Sequence, residues 1–83
     1  MAFLVISSHL NPHEIYMCDG DMVIIGDDLR QTEMILYVSS SVEDARQFAE
    51  QCIFAPNTTL VESISNELRF IEHVSFKHQN PLY

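Results

Sequence analysis

Three strand-length apolar runs lie within the first 38 of the chain's 83 residues: Phe3-Leu4-Val5-Ile6, Met22-Val23-Ile24-Ile25 and Met34-Ile35-Leu36-Tyr37-Val38. None alternates apolar with polar residues, as a strand with one wet face does. Unbroken runs of this length belong to strands covered on both faces. The rest of the chain carries two helical patterns, enough to cover one face of a sheet. A second copy of the chain, or a partner protein, is therefore expected over the other face.

The first strand spans residues 2–8, and Asn11-Pro12 ends it in a loop. Asp19-Gly20 stands between Ile15-Tyr16-Met17-Cys18 and Asp21-Met22-Val23-Ile24-Ile25. Both residues tolerate positive φ and so favour a two-residue hairpin turn. That turn pairs Cys18 with Asp21, Met17 with Met22, Tyr16 with Val23, Ile15 with Ile24 and Glu14 with Ile25. One hairpin face then carries Ile15, Met17, Met22 and Ile24 and belongs to the core. The other carries Glu14, Tyr16, Cys18, Asp21, Val23 and Ile25 and is only partly covered. A further strand, residues 33–39, follows the break at Gly26-Asp27-Asp28.

Ser40 followed by Glu43 forms a capping box. Val42, Ala45, Phe48, Ala49, Cys52 and Ile53 then fall within roughly 140° of a helical wheel. An amphipathic helix is predicted over about 41–54, stopped before Pro56. Thr59 and Glu62 repeat the capping box, and Leu60, Val61, Ile64, Leu68 and Ile71 share an arc of roughly 100°. A second helix is predicted over about 59–72. Leu68, Phe70, Val74 and Phe76 also alternate as a strand would, with Glu72 out of pattern. A hairpin turning at Ser65-Asn66 is the alternative. The expected fold is α+β: about four mostly antiparallel strands in residues 2–39 with two helices on one face, as a single domain over residues 1–83. The tail from His78 to Tyr83 reads as frayed or ordered by a partner.

Charge sets the class of partner. Twelve acids face four bases, Arg30, Arg46, Arg69 and Lys77, for a net charge of −8. Phosphate affinity depends on clustered Lys and Arg, so direct binding to nucleic acid or to an anionic membrane surface is not expected. A partner protein with a basic surface is. The first apolar run lacks a basic leader and is too short to span a bilayer, which predicts a cytoplasmic protein. Cys18 and Cys52 form no CxxC pair and read as small buried hydrophobes.

The hairpin register brings Glu14, Asp27, Asp28 and Glu33 together at one sheet edge, near His13. Clustered carboxylates can serve acid/base chemistry when burial or a like charge raises one pKa. At loop ends, with no nucleophile beside them, they read instead as a solvated rim able to dock a basic partner. Tyr16, Val23 and Ile25, on the partly covered face, form the expected apolar contact, to a second copy or to the partner. His9-x3-His13 and His73-x4-His78 have the spacing of helical metal-ligand pairs. Pro12 excludes a regular helix through the first, and no Cys cluster or HExxH pattern accompanies either. The Asp19, Asp21, Asp27 and Asp28 carboxylates do not match a calcium-loop pattern. No cofactor, metal or catalytic site is expected.

The reading is a small, acidic, non-enzymatic protein-binding module, an inhibitor or adaptor. Small acidic single domains of this kind include virus-encoded antagonists of host restriction and CRISPR complexes. The alternatives are a structural homo-oligomer, such as a dimer, or a metal protein or enzyme using His9, His13, His73 and His78.

Overall fold

Residues 2–39 form four antiparallel strands: β1 (Ala2–Ile6), β2 (Ile15–Asp19), β3 (Met22–Ile25) and β4 (Thr32–Ser39). One helix, α1 (Val42–Gln51), follows, and then β5 (Asn57–Ile64) and β6 (Glu67–Ser75). The computed structural model describes residues 2–10, 15–19, 22–25, 32–65 and 67–77, with the backbone alone for 15–19, 22–25 and 32. The class is α+β. The strands pair in the order β1-β4-β3-β2-β6-β5, and the sheet closes into a barrel. The closing seam, β2 on β6, is a pairing of Met17 with Glu67.

β1 explains why its apolar run does not alternate. Leu4 and Ile6 point into the barrel, where they pack with Leu10, Val61 and Leu68. Val5 points outward to α1, where it packs with Ala45, Ala49, Leu60 and Val74. Both faces of the strand are therefore covered by the chain itself, one by the closed sheet and one by the helix. Residues Ala45 and Ala49 are fully buried at this contact. Their methyl side chains let the helix axis approach the strands closely. Beyond β1, Leu10 folds back as an apolar plug in the interior cluster.

The second predicted helix does not form. Residues 57–75 make an antiparallel hairpin instead, turning at Ser65, whose φ is 51°. Two features disguise it. Thr58, Thr59, Leu60 and Val61 are all buried, because β5 is covered inside and out and so lacks alternation. A β-bulge lies where Leu60 pairs with Glu72 but Val61 pairs with Phe70, leaving Ile71 as the extra residue. Even-numbered residues change sides there: Leu68 belongs to the interior cluster and Val74 to the helix-side cluster. Glu72 lies out of pattern for this reason, and its carboxylate meets Arg46 on α1. The Thr59 hydroxyl, expected to cap a helix, donates to Ser8 O (2.6 Å) and accepts from Leu10 N (2.7 Å).

The β2–β3 hairpin forms, with its pairing moved. Asp19 pairs with Met22, Cys18 with Val23 and Met17 with Ile24, so residues 20 and 21, not Asp19-Gly20, connect the strands. An irregularity between Ile15 and Met17 then brings Ile15 opposite Ile25. For Asp19, Cys18 and Met17 the pairing sums move by two residues, which preserves which residues share a face, so apolar patterning could not separate the two registers there; at Ile15 the sum moves by one. α1 is shorter than predicted. Ser41, not Ser40, is the N-cap and accepts from Asp44 N at 3.3 Å. The helix ends at Gln51, which places Ile53 outside it. Among the described residues, no helix is long and apolar enough to cross a membrane.

Candidate functional site

The end of α1 shows the largest departure from ordinary packing. Cys52 N donates to Ala49 O, closing the last turn. Cys52 and Ala55 are both buried, and the residues between them are thrust outward. Ile53 is 70% exposed and Phe54 89% exposed. The segment cannot fold them back, because two further bonds hold it: Phe76 N donates to Pro56 O and Lys77 N to Glu50 O, both at 2.7 Å. Pro56 itself disfavours helical geometry at the residue before it. Phe48, Gln51, Cys52, Ile53 and Phe54 together line a recess of about 320 Å³.

One wall of this recess is tied to β4. The Phe48 ring stacks on Tyr37 of β4, with centroids 4.3 Å apart and planes 4° from parallel. The Tyr37 hydroxyl donates to Asp44 Oδ2 at 2.6 Å. Asp44, Phe48 and Gln51 stand at i, i+4 and i+7 and so share one flank of the helix. The Tyr37 hydrogen bond, helped by the Ser39 hydroxyl, holds the Asp44 carboxyl below its usual range despite some opposing desolvation. Tyr37 is shifted upward by the same hydrogen bond, then by desolvation and by the Asp44 charge. The flank therefore ends in a carboxylate at one side and an exposed aromatic at the other. The last turn itself contains no basic residue, and Lys77, from beyond β6, brings its ammonium to Glu50 there.

A second recess, of about 260 Å³, opens between α1 and β6 beside Arg46, Glu50, Glu72, His73 and Lys77. Its cations are already held. Arg46 bonds Glu72 and, at 2.6 Å, Glu43. Glu72 first, and then Glu43, raise the Arg46 pKa. Lys77 Nζ lies 2.8 Å from Glu50 Oε2, and Arg69 lies 4.0 Å from Glu62. Every cationic side chain of the described Arg and Lys residues thus faces a carboxylate of its own chain.

Of the residues expected to form a site, Tyr16, Val23 and Ile25 are placed by their backbone and Glu33 with its side chain. Glu14, Asp27, Asp28, His13 and His78 lie outside the described residues, as does any convergence of those carboxylates. Tyr16, Val23 and Ile25 sit on β2 and β3, Val23 paired with Cys18 on one side and Glu33 on the other. Glu33, on β4, is half-buried and accepts the Ser7 hydroxyl proton at 2.6 Å. The histidines meet in a combination that spacing does not suggest. His9 stacks on His73 with centroids 4.5 Å apart, and Phe70 meets His73 edge-on at 5.1 Å. His73 Nε2 reaches Leu10 O at 2.8 Å and His9 Nε2 reaches Val74 O at 3.4 Å. A carbonyl only accepts, so both Nε2 atoms carry the proton and both rings tie the Ser8–Leu10 segment to β6. Among the described residues, no group of three or more His, Cys, Asp or Glu side chains is placed to hold a metal ion.

The sequence reading missed Ile53 and Phe54. It counted Ile53 on the buried helical arc. The available signal was two adjacent large apolar residues in the four positions between Gln51 and Pro56, too few to continue the helix and too close to the proline to bend inward together. The chain matches no protein-family model, no curated protein and no solved structure.

Proposed function

We propose that this is a non-enzymatic protein-binding module, an inhibitor or adaptor that engages a partner protein with a basic surface. The observation that carries this reading is the Ile53-Phe54 pair: large apolar side chains held outward by buried neighbours, on the rim of an apolar recess. Covering an aromatic of this size removes 150–250 Å² from water, at about 25 cal/mol per Å². The net charge of −8, with the described cations already answered internally, supports a basic rather than an acidic partner. Antagonism of a nucleic-acid-binding complex fits this chemistry, since such complexes expose basic surfaces. Capture from a host lysate on immobilised wild type, compared with Phe54→Ser, tests it. Proteins retained at low salt should be basic, should elute as ionic strength rises, and should be depleted on the variant. Equal retention by both baits would remove the reading.

A further inference from the structure

We propose that the α1 flank from Asp44 to Phe54 is a two-point socket for a cationic amphipathic segment, one basic side chain on Asp44 and one apolar side chain in the recess; this rests on the protein-binding reading above. The two points are fixed by separate observations. Asp44 is kept ionised by Tyr37 and Ser39, on a ring stack that holds its position. The recess is lined by Phe48, Gln51, Cys52, Ile53 and Phe54. Asp44 and Gln51 are seven residues apart, about 10 Å along the axis at about 1.5 Å per residue. Two turns of a partner helix span the same distance, so a Lys or Arg and a Leu or Phe at i and i+7 would meet both points.

Charge decides between this occupant and a second copy of the chain. A second copy brings another net charge of −8. Of its described cations, Arg46 is held by Glu43 and Glu72 and Lys77 by Glu50, while exposed Arg69 only approaches Glu62, at 4.0 Å. It therefore meets Asp44 with a net negative charge, and Arg46 and Lys77 would have to leave partners of their own to reach it. A basic foreign segment supplies a cation directly.

The test uses a synthetic helical peptide of leucine and lysine with the i, i+7 pattern, titrated into ¹⁵N-labelled full-length protein. A peptide with glutamate in place of lysine is the control. Amide shifts centred on residues 44–55 are expected with the lysine peptide and none with the control. Phe54→Ala should weaken binding tenfold or more, chiefly through faster dissociation. Asp44→Asn should weaken it several-fold, an effect that fades as salt rises. Glu67→Gln, an exposed carboxylate on β6, should leave affinity unchanged. Shift dispersion of each variant reports that it is folded. Shifts centred elsewhere would overturn the socket while leaving a protein-binding module in place. A concentration-dependent dimer dissolved by Phe54→Ala would assign the recess to a second copy and overturn the cationic occupant. No shift with either peptide at millimolar concentration would overturn it too. If wild-type bait also retains no basic protein, the binding reading falls with it.

Discussion

Thr59→Val tests how the barrel end is plugged. Thr59 is fully buried, and one hydroxyl does two jobs: it donates to Ser8 O and accepts from Leu10 N. Valine keeps the shape and loses both bonds. A buried polar group left without a partner costs roughly 1–3 kcal/mol. With Leu10 buried and Ser8 half-buried, the expected loss is about 2–4 kcal/mol. For a chain of this length each kcal/mol moves Tm by about 4–8 °C, so a fall of roughly 8–32 °C is expected. Thr58→Val is the matched control. Thr58 is as deeply buried, but its hydroxyl donates once, to Val74 O at 3.0 Å. That carbonyl also faces His9 Nε2, so the expected loss is about 1 kcal/mol. Thermal and urea unfolding give the two numbers. Amide exchange at Leu10 gives the mechanism, since its protection should collapse in Thr59→Val and survive in Thr58→Val. Equal losses from the two variants, or unchanged Leu10 protection, would refute the plug.

Leu60→Ala removes a fully buried side chain from the helix-side cluster and should cost about 2–5 kcal/mol in urea unfolding. Ser65→Gly should stabilise by about 0.5–1 kcal/mol, because φ of 51° strains a residue with a Cβ and suits glycine; a lower urea midpoint would contradict this. Tyr37→Phe should show a pH-limited difference from wild type in Tm. The Asp44 pKa is lowered from 3.8, so its contribution is present above about 4 and is lost as pH falls through the depressed value. The Tyr37 pKa is raised from 10.0, so its contribution is complete below about 10 and is lost as pH rises through the raised value. The difference should therefore be a plateau between those limits, and a difference persisting at pH 2 or 12 would count against the bond.

Legibility in the sequence followed how many faces an element buries. β1 announces itself as an unbroken apolar run and buries both faces. β4 carries such a run too, yet Met34 and Val38 are more than half exposed, so there the run marks a strand but not a second cover. α1 shows a period of 3.6 with serines at its start. β5 buries both faces as β1 does, but its run Thr58-Thr59-Leu60-Val61 contains two hydroxyls that look like caps. Those hydroxyls are instead consumed by Val74 O, Ser8 O and Leu10 N, partners far away in the chain that no local pattern can show. β6 was hidden by its bulge, which inverts parity at Ile71. The second cover that the apolar runs demand was legible as a requirement. For β1 it is met by barrel closure, which depends on residues 57–75 being strands. The exposed pair at Ile53 and Phe54 was misread for a related reason. Helical periodicity was carried past the point where Cys52 and the approaching proline end it.

β1 sits between β4 and β5 in the barrel, and Ile6 faces Thr59. During synthesis at about 5–20 residues per second, the roughly 50 residues between them take about 3–10 s to appear. Throughout that interval β1 has an unpaired edge and apolar side chains on both faces. Its second neighbour lies roughly 50 residues downstream, so β1 cannot be paired on both edges until that much further chain has been made. Non-local strand pairing of this kind is also intrinsically slow. Shielding that apolar edge while the chain is incomplete is therefore expected to raise the yield of folded molecules.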